Sequence, residues 1–150
     1  MRGAVTVTMA ASAEQIWEVI TDIANIGQYS PETFEAEWLD GAAGPALGAK
    51  FRGHVRRNEI GPVYWTTCRV TACEPGREFG FEVLVGDRAV NNWHYRLTPS
   101  QGSTDVTESF QLNASPLMSL YSVFGGQLRR RRNLRDMRKT LERIKAVVET

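Results

Sequence analysis

Between Leu134 and Val148 apolar residues recur at steps of three, four, three and four: Leu134, Met137, Leu141, Ile144 and Val148. This is one stripe on an α-helix, and Arg135, Arg138, Lys139, Glu142, Arg143 and Lys145 occupy its other sides. A stripe this regular is buried against something. Upstream, the pattern changes to short segments in which apolar and polar residues alternate. Residues 4–9 predict a first strand. Ser12-Ala13-Glu14-Gln15 is an S-x-x-Q capping box, and the helix it opens carries Ile16, Val19, Ile20 and Ile23 on one side. Asp22 and Asn25 mark its end. Residues 25–31 predict a second short helical turn stopped by Pro31. A strand is expected at about 33–39, followed by a Gly-, Ala- and Pro-rich loop from Asp40 to Gly48.

Five further strands are predicted at 49–58, 63–74, 77–85, 89–98 and 104–113. They are divided by Glu59-Ile60-Gly61-Pro62, Glu74-Pro75-Gly76, Gly86-Asp87-Arg88 and Pro99-Ser100-Gln101-Gly102-Ser103. Each divider suits a hairpin, and the regular spacing argues for one continuous antiparallel sheet. Ser115-Pro116 then starts helical sequence, with Leu117, Leu120, Tyr121, Phe124 and Leu128 on one side. Gly125-Gly126 would cost such a helix about 2 kcal/mol against alanine, so a break is expected there before the final helix. The reading is an α+β chain whose sheet curls around its own C-terminal helix. No repeat or linker divides residues 1–150, which are expected to form a single domain.

The phase of each strand says which side chains face the helix. The bulky sets are Phe51, Gly53 and Val55; Phe79, Phe81 and Val83; Asn91, Trp93, Tyr95 and Leu97; and Val106, Glu108, Phe110 and Leu112. Strand 63–74 is ambiguous. Tyr64, Thr66, Cys68 and Val70 form one set and Trp65, Thr67 and Arg69 the other, and a bulge would turn Trp65 inward. Glu108 is the anomaly, because a carboxylate among Val106, Phe110 and Leu112 is costly to bury unless paired or protonated. The hairpin places it near Tyr95, and the helical stripe extended back from Leu134 leads to Arg130 or Arg131. Three readings fit: a polar anchor in an apolar pocket, a structural ion pair, or a Glu near the sheet edge that reaches water. The inward aromatic residues likewise fit either a lined cavity or a filled core.

With 42% hydrophobic and 23% charged residues and a net charge of +1, the composition points to neither nucleic acid nor an anionic membrane surface. Cys68 and Cys73 are the only cysteines; five positions apart on one strand, they are expected on opposite faces, unbridged and reduced. No signal-peptide pattern or membrane-length apolar run occurs, so a soluble cytoplasmic protein is expected. His54 and His94 fall on the polar phase of their strands and are expected in solvent. No metal-ligand spacing, nucleophile elbow or phosphate loop is present, and no cofactor is expected. The run Arg129 to Arg132 spreads around the helix and makes no single basic stripe.

The order of these parts resembles the START-like superfamily, and more closely its bacterial polyketide cyclase/dehydrase-like (SRPBCC) members. The patterns that carry the resemblance are Ile16-Trp17…Asp22…Tyr29-Ser30-Pro31, Val70-x-x-x-Glu74-Pro75-Gly76-Arg77-x-Phe79, Trp93-x-Tyr95-x-Leu97-x-Pro99 and Gly102-x-Thr104-x-Val106. Tyr29 stands where the family usually has Trp. The resemblance implies a helix-grip (START/Bet v 1-like) fold, with a curved antiparallel sheet wrapped around the long C-terminal helix and two short helices after the first strand. It also implies a hydrophobic cavity between sheet and helix. Two functions follow as expectations, carriage of a hydrophobic small molecule or polyketide cyclisation or dehydration; the Arg129 to Arg132 cluster and its helix leave a protein-interaction module as a third. The ligand-contacting set expected is Tyr29, Phe51, Trp65, Phe79, Phe81, Asn91, Trp93, Tyr95, Glu108, Phe110, Phe124 and Arg131, with Glu108 and Tyr95 as candidate proton carriers. A small-molecule partner is expected, with no nucleic acid and no integral membrane association, in a monomer or homodimer.

Overall fold

A computed structural model describes residues 1–56, 62–113 and 126–150. The helix expected over 115–124, with Phe124 in it, the glycine at 125 and the turn at 59–61 lie outside the described residues. The described residues form seven strands: β1 (Arg2–Met9), β2 (Thr33–Trp38), β3 (Lys50–Arg56), β4 (Val63–Glu74), β5 (Glu78–Val85), β6 (Arg88–Ser100) and β7 (Ser103–Leu112). They form one sheet in the order β1-β7-β6-β5-β4-β3-β2, and every neighbouring pair is antiparallel. β1 and β2 are therefore opposite edges. Helix α1 (Ala13–Thr21) and a 3-10 helix (Ile23–Gln28) carry the chain between them.

Local chemistry fixes this crossing. Ser12 Oγ accepts from the Gln15 amide and the Gln15 side chain accepts from the Ser12 amide, so the capping box forms as expected. Trp17 Nε1 donates to the Glu78 carbonyl at 3.0 Å and ties α1 to the start of β5. The 3-10 helix lies so close to β2 that a Cβ at Gly27 would sit 2.2 Å from the Phe34 carbonyl oxygen. Only glycine fits there. That approach seats Tyr29 under the sheet, where its hydroxyl donates to the Ile20 carbonyl at 3.1 Å.

The turn between β6 and β7 is tighter than the five-residue divider in the sequence suggests. Ser100 pairs with Ser103, and Gln101 and Gly102 both take positive φ, the geometry of a two-residue hairpin. In β4 the register shifts between Val70 and Ala72. Cys68 then pairs with Val83 and Cys73 with Phe79, both on the helix-facing side. The two cysteines therefore share a face, against the expectation from their spacing, because the bulge adds a residue to the alternation. Both are free thiols.

Helix α2 (Gly126–Val148) packs chiefly on β1, with lesser contact to α1 and β7. Its C-terminal half seals the core: Met137, Leu141 and Ile144 are buried beside Met9, Ile16, Ile20, Phe79 and Val106. Beyond Val148, Glu149 accepts from the Ala10 amide at 2.8 Å and from Lys145 Nζ at 2.6 Å, which pins the helix end to the β1–α1 connection. The N-terminal half of α2 lies over a space instead of a filled core.

Candidate functional site

That space is a cavity of about 510 Å³, within the range of small-molecule sites. Its walls come from the inner faces of β3 to β7, the Tyr29-Ser30-Pro31 segment after the 3-10 helix, and one side of α2. Of the residues expected to line it, Tyr29, Phe51, Phe81, Asn91, Trp93, Tyr95 and Glu108 do so. Phe79 and Phe110 are buried in the core but do not border the cavity.

The polar centre is set by strand register. Tyr95 on β6 pairs directly with Glu108 on β7, and both point toward the helix. Tyr95 Oη donates to Glu108 Oε1 at 3.1 Å. Glu108 is only 5% exposed. Burial pushes its pKa up to about 8, while the hydrogen bond from Tyr95 pulls the other way. At neutral pH the carboxyl is thus held largely protonated. The Tyr95 phenol is raised well above its ordinary value by burial and then by Glu108, and Tyr29 is raised chiefly by burial as well. Two buried oxygens have no hydrogen-bond partner among the described residues: Glu108 Oε2 and Asn91 Oδ1.

Neither of the two arginines that the sequence aims at Glu108 meets it. Arg131 is exposed and does not border the cavity, and Arg130 turns aside to donate from Nε to the Arg2 carbonyl at 3.1 Å. The apolar stripe that pointed to these two faces β1. The side of α2 that borders the cavity overlaps that stripe only at Met137, and otherwise carries Leu128, Arg129, Arg132, Asn133, Asp136 and Thr140. These positions recur at helical spacing, so a second, mainly polar stripe was the available signal.

Trp65 is the other correction. It lies on the outer face, 44% exposed, stacked on His54 at 4.2 Å between ring centroids, with the Arg52 guanidinium 4.2 Å from its ring. The expected bulge exists, but it comes after Val70 and leaves Tyr64, Thr66 and Cys68 inward, where they line the cavity. Burial pushes the Cys68 thiol up to about 12, so it packs as an apolar group. His54 and His94 are outward as expected, yet each is held by a carboxylate: His54 by Glu35 at 2.8 Å and His94 by Glu78 at 3.0 Å. Among the described residues no group of three or more His, Cys, Asp or Glu side chains is placed to hold a metal ion, and no helix is long and apolar enough to cross a membrane.

The sequence profile of the family described as "Polyketide cyclase / dehydrase and lipid transport" matches residues 2–149. Among solved structures, the chain is similar to a Polyketide_cyc-like protein from Corynebacterium glutamicum, at 27% identity and a TM-score of 0.68 over 99% of this chain and 91% of that one. A START superfamily protein from Mycobacterium smegmatis superposes with a TM-score of 0.66 at 18% identity, over 99% and 97% of the two chains. A di-domain ARO/CYC protein from the steffimycin biosynthetic pathway gives a TM-score of 0.68 at 15% identity, over 98% of this chain and 44% of that one. At these lower identities the likeness is one of fold. No curated protein matches the chain.

Proposed function

Since the chain belongs to the polyketide cyclase / dehydrase and lipid transport family, we propose that it binds and carries a hydrophobic small molecule between the sheet and α2. One observation carries this reading: a cavity of about 510 Å³ with Phe51, Phe81 and Trp93 in its wall, where tight packing is the rule for protein interiors. Affinity would come mainly from apolar burial. At roughly 25 cal/mol per Å², about 50 Å² of ligand surface removed from water tightens binding by close to tenfold. Native mass spectrometry of the protein purified from its own host tests the reading. An apolar adduct that is lost in a cavity-filling Val83→Trp variant is expected. Protein that is free of adducts and takes up no apolar probe contradicts it.

The pairing of Glu108 with Tyr95 favours a second reading, a cyclase or dehydratase acting on a poly-β-ketone. A carboxyl kept protonated at neutral pH inside an apolar cavity is suited to donate a proton to a carbonyl or a departing hydroxyl. Turnover of such a substrate that survives Glu108→Gln intact excludes this role for Glu108.

A further inference from the structure

The cavity wall changes character along α2. Arg129, Arg132, Asp136 and Thr140 follow one another on the side of the helix that borders the space, and side chains three or four apart on a helix are neighbours. Their surroundings grade from water to interior. Arg132 is exposed, the Asp136 side chain is 16% exposed, and Thr140 is buried beside Met137. On the sheet side, Phe51, Phe81 and Trp93 supply an apolar wall. The roof therefore runs from a cationic, wet end to a neutral, dry one.

The acids on the same wall leave Arg132 its charge. Asp136 Oδ1 accepts from Arg135, which does not border the cavity, at 3.3 Å. Glu32 and Arg129 are each engaged with another group. Glu108 is bonded to Tyr95 and held largely protonated at neutral pH. An ionised ligand head among Phe81, Trp93 and Met137 would lose its water with no cation beside it, at heavy cost. At Arg132 the same head keeps part of its water and meets a planar guanidinium fork that matches a carboxylate. Glu32 and Asp136 favour a head of one negative charge over a phosphate with two.

We propose that the ligand is an amphiphile with a single carboxylate, its apolar chain in the cavity and its head held at Arg132, with Arg129 one turn away adding to the positive field. This rests on the cavity-binding reading above and adds the ligand's charge and its orientation.

Calorimetric titration of the wild-type chain near pH 7 and at low ionic strength with n-octanoate, n-octanol and n-octylammonium tests it. Octanoate is expected to bind roughly threefold to tenfold more tightly than octanol, and octylammonium the most weakly. In Arg132→Gln the preference for octanoate disappears while octanol binding is retained. Arg131→Gln removes the same charge from an exposed position off the cavity and keeps the preference. Octanol matching octanoate in the wild type, a preference that survives Arg132→Gln, or an equal loss in Arg131→Gln overturns the carboxylate at Arg132 and leaves the cavity reading standing. If none of the three binds, the cavity reading falls as well.

Discussion

The two faces of the sheet treat their carboxylates in opposite ways. On the outer face four are matched across strands by basic side chains: Glu37 with Arg52, Glu35 with His54, Glu82 with Arg69, and Glu78 with His94 and Arg96. On the inner face Glu108 meets a neutral phenol at one oxygen and no described residue at the other. Outer pairs of this kind satisfy charge beside water and contribute little each. A lone buried carboxyl gains nothing comparable and costs stability wherever it must ionise. The difference teaches that Glu108 is not a fold-stabilising ion pair, the structural alternative open at the level of sequence. Its burial is an expense that the cavity, not the core, accounts for.

The largest effect that sharpens this contrast is pH-dependent. The folded-state pKa of Glu108 is raised from 4.5 to about 8, so the folded state holds the proton while the unfolded state releases it. The favourable contribution is complete below about pH 4.5, and is lost as pH rises toward 8. Its full size is of order 5 kcal/mol. Glu108→Gln removes this slope. Thermal melts should show the variant close to wild type near pH 4.5 and clearly more stable at pH 9; parallel curves across that range would break the contrast.

Next in size is Tyr95→Phe, which deletes the hydrogen bond to Glu108 Oε1 and leaves a second orphan oxygen. A loss of about 1–3 kcal/mol is expected in denaturant titration. The Glu108 pKa should rise further, because the bond now lowers it. A pKa that falls, read from the carboxyl carbon by NMR, contradicts the assigned direction. The smallest effect belongs to the outer face. Arg69→Met, opposite Glu82, is expected to cost under about 1 kcal/mol and to cost less at high salt. A change of several kcal/mol there would erase the difference between the faces.

Most of the fold was legible because alternation, turn residues and a capping box agree with one another. The register that brings Tyr95 to Glu108 follows from the tight turn at Gln101-Gly102. Three features were not legible, each for a physical reason. In β4 both alternating sets carry an aromatic residue, and Trp65 goes outward because His54 and Arg52 across the strands offer it a stacking site. The cysteines share a face because a bulge adds a residue between them. Arg130 and Arg131 do not turn to Glu108 because the most apolar side of α2 faces β1, whereas a cavity tolerates polar residues on its roof.

The chain has four tryptophans, and two of them separate the faces: Trp93 lines the cavity and Trp65 lies outside. Fluorine NMR of fluorotryptophan-labelled protein, titrated with a medium-chain n-alcohol, tests directly whether the inner face is the binding surface. The Trp93 resonance is expected to move and saturate while that of Trp65 stays in place. Movement of Trp65 with Trp93 unchanged, or no movement of either, would contradict a ligand site between sheet and helix.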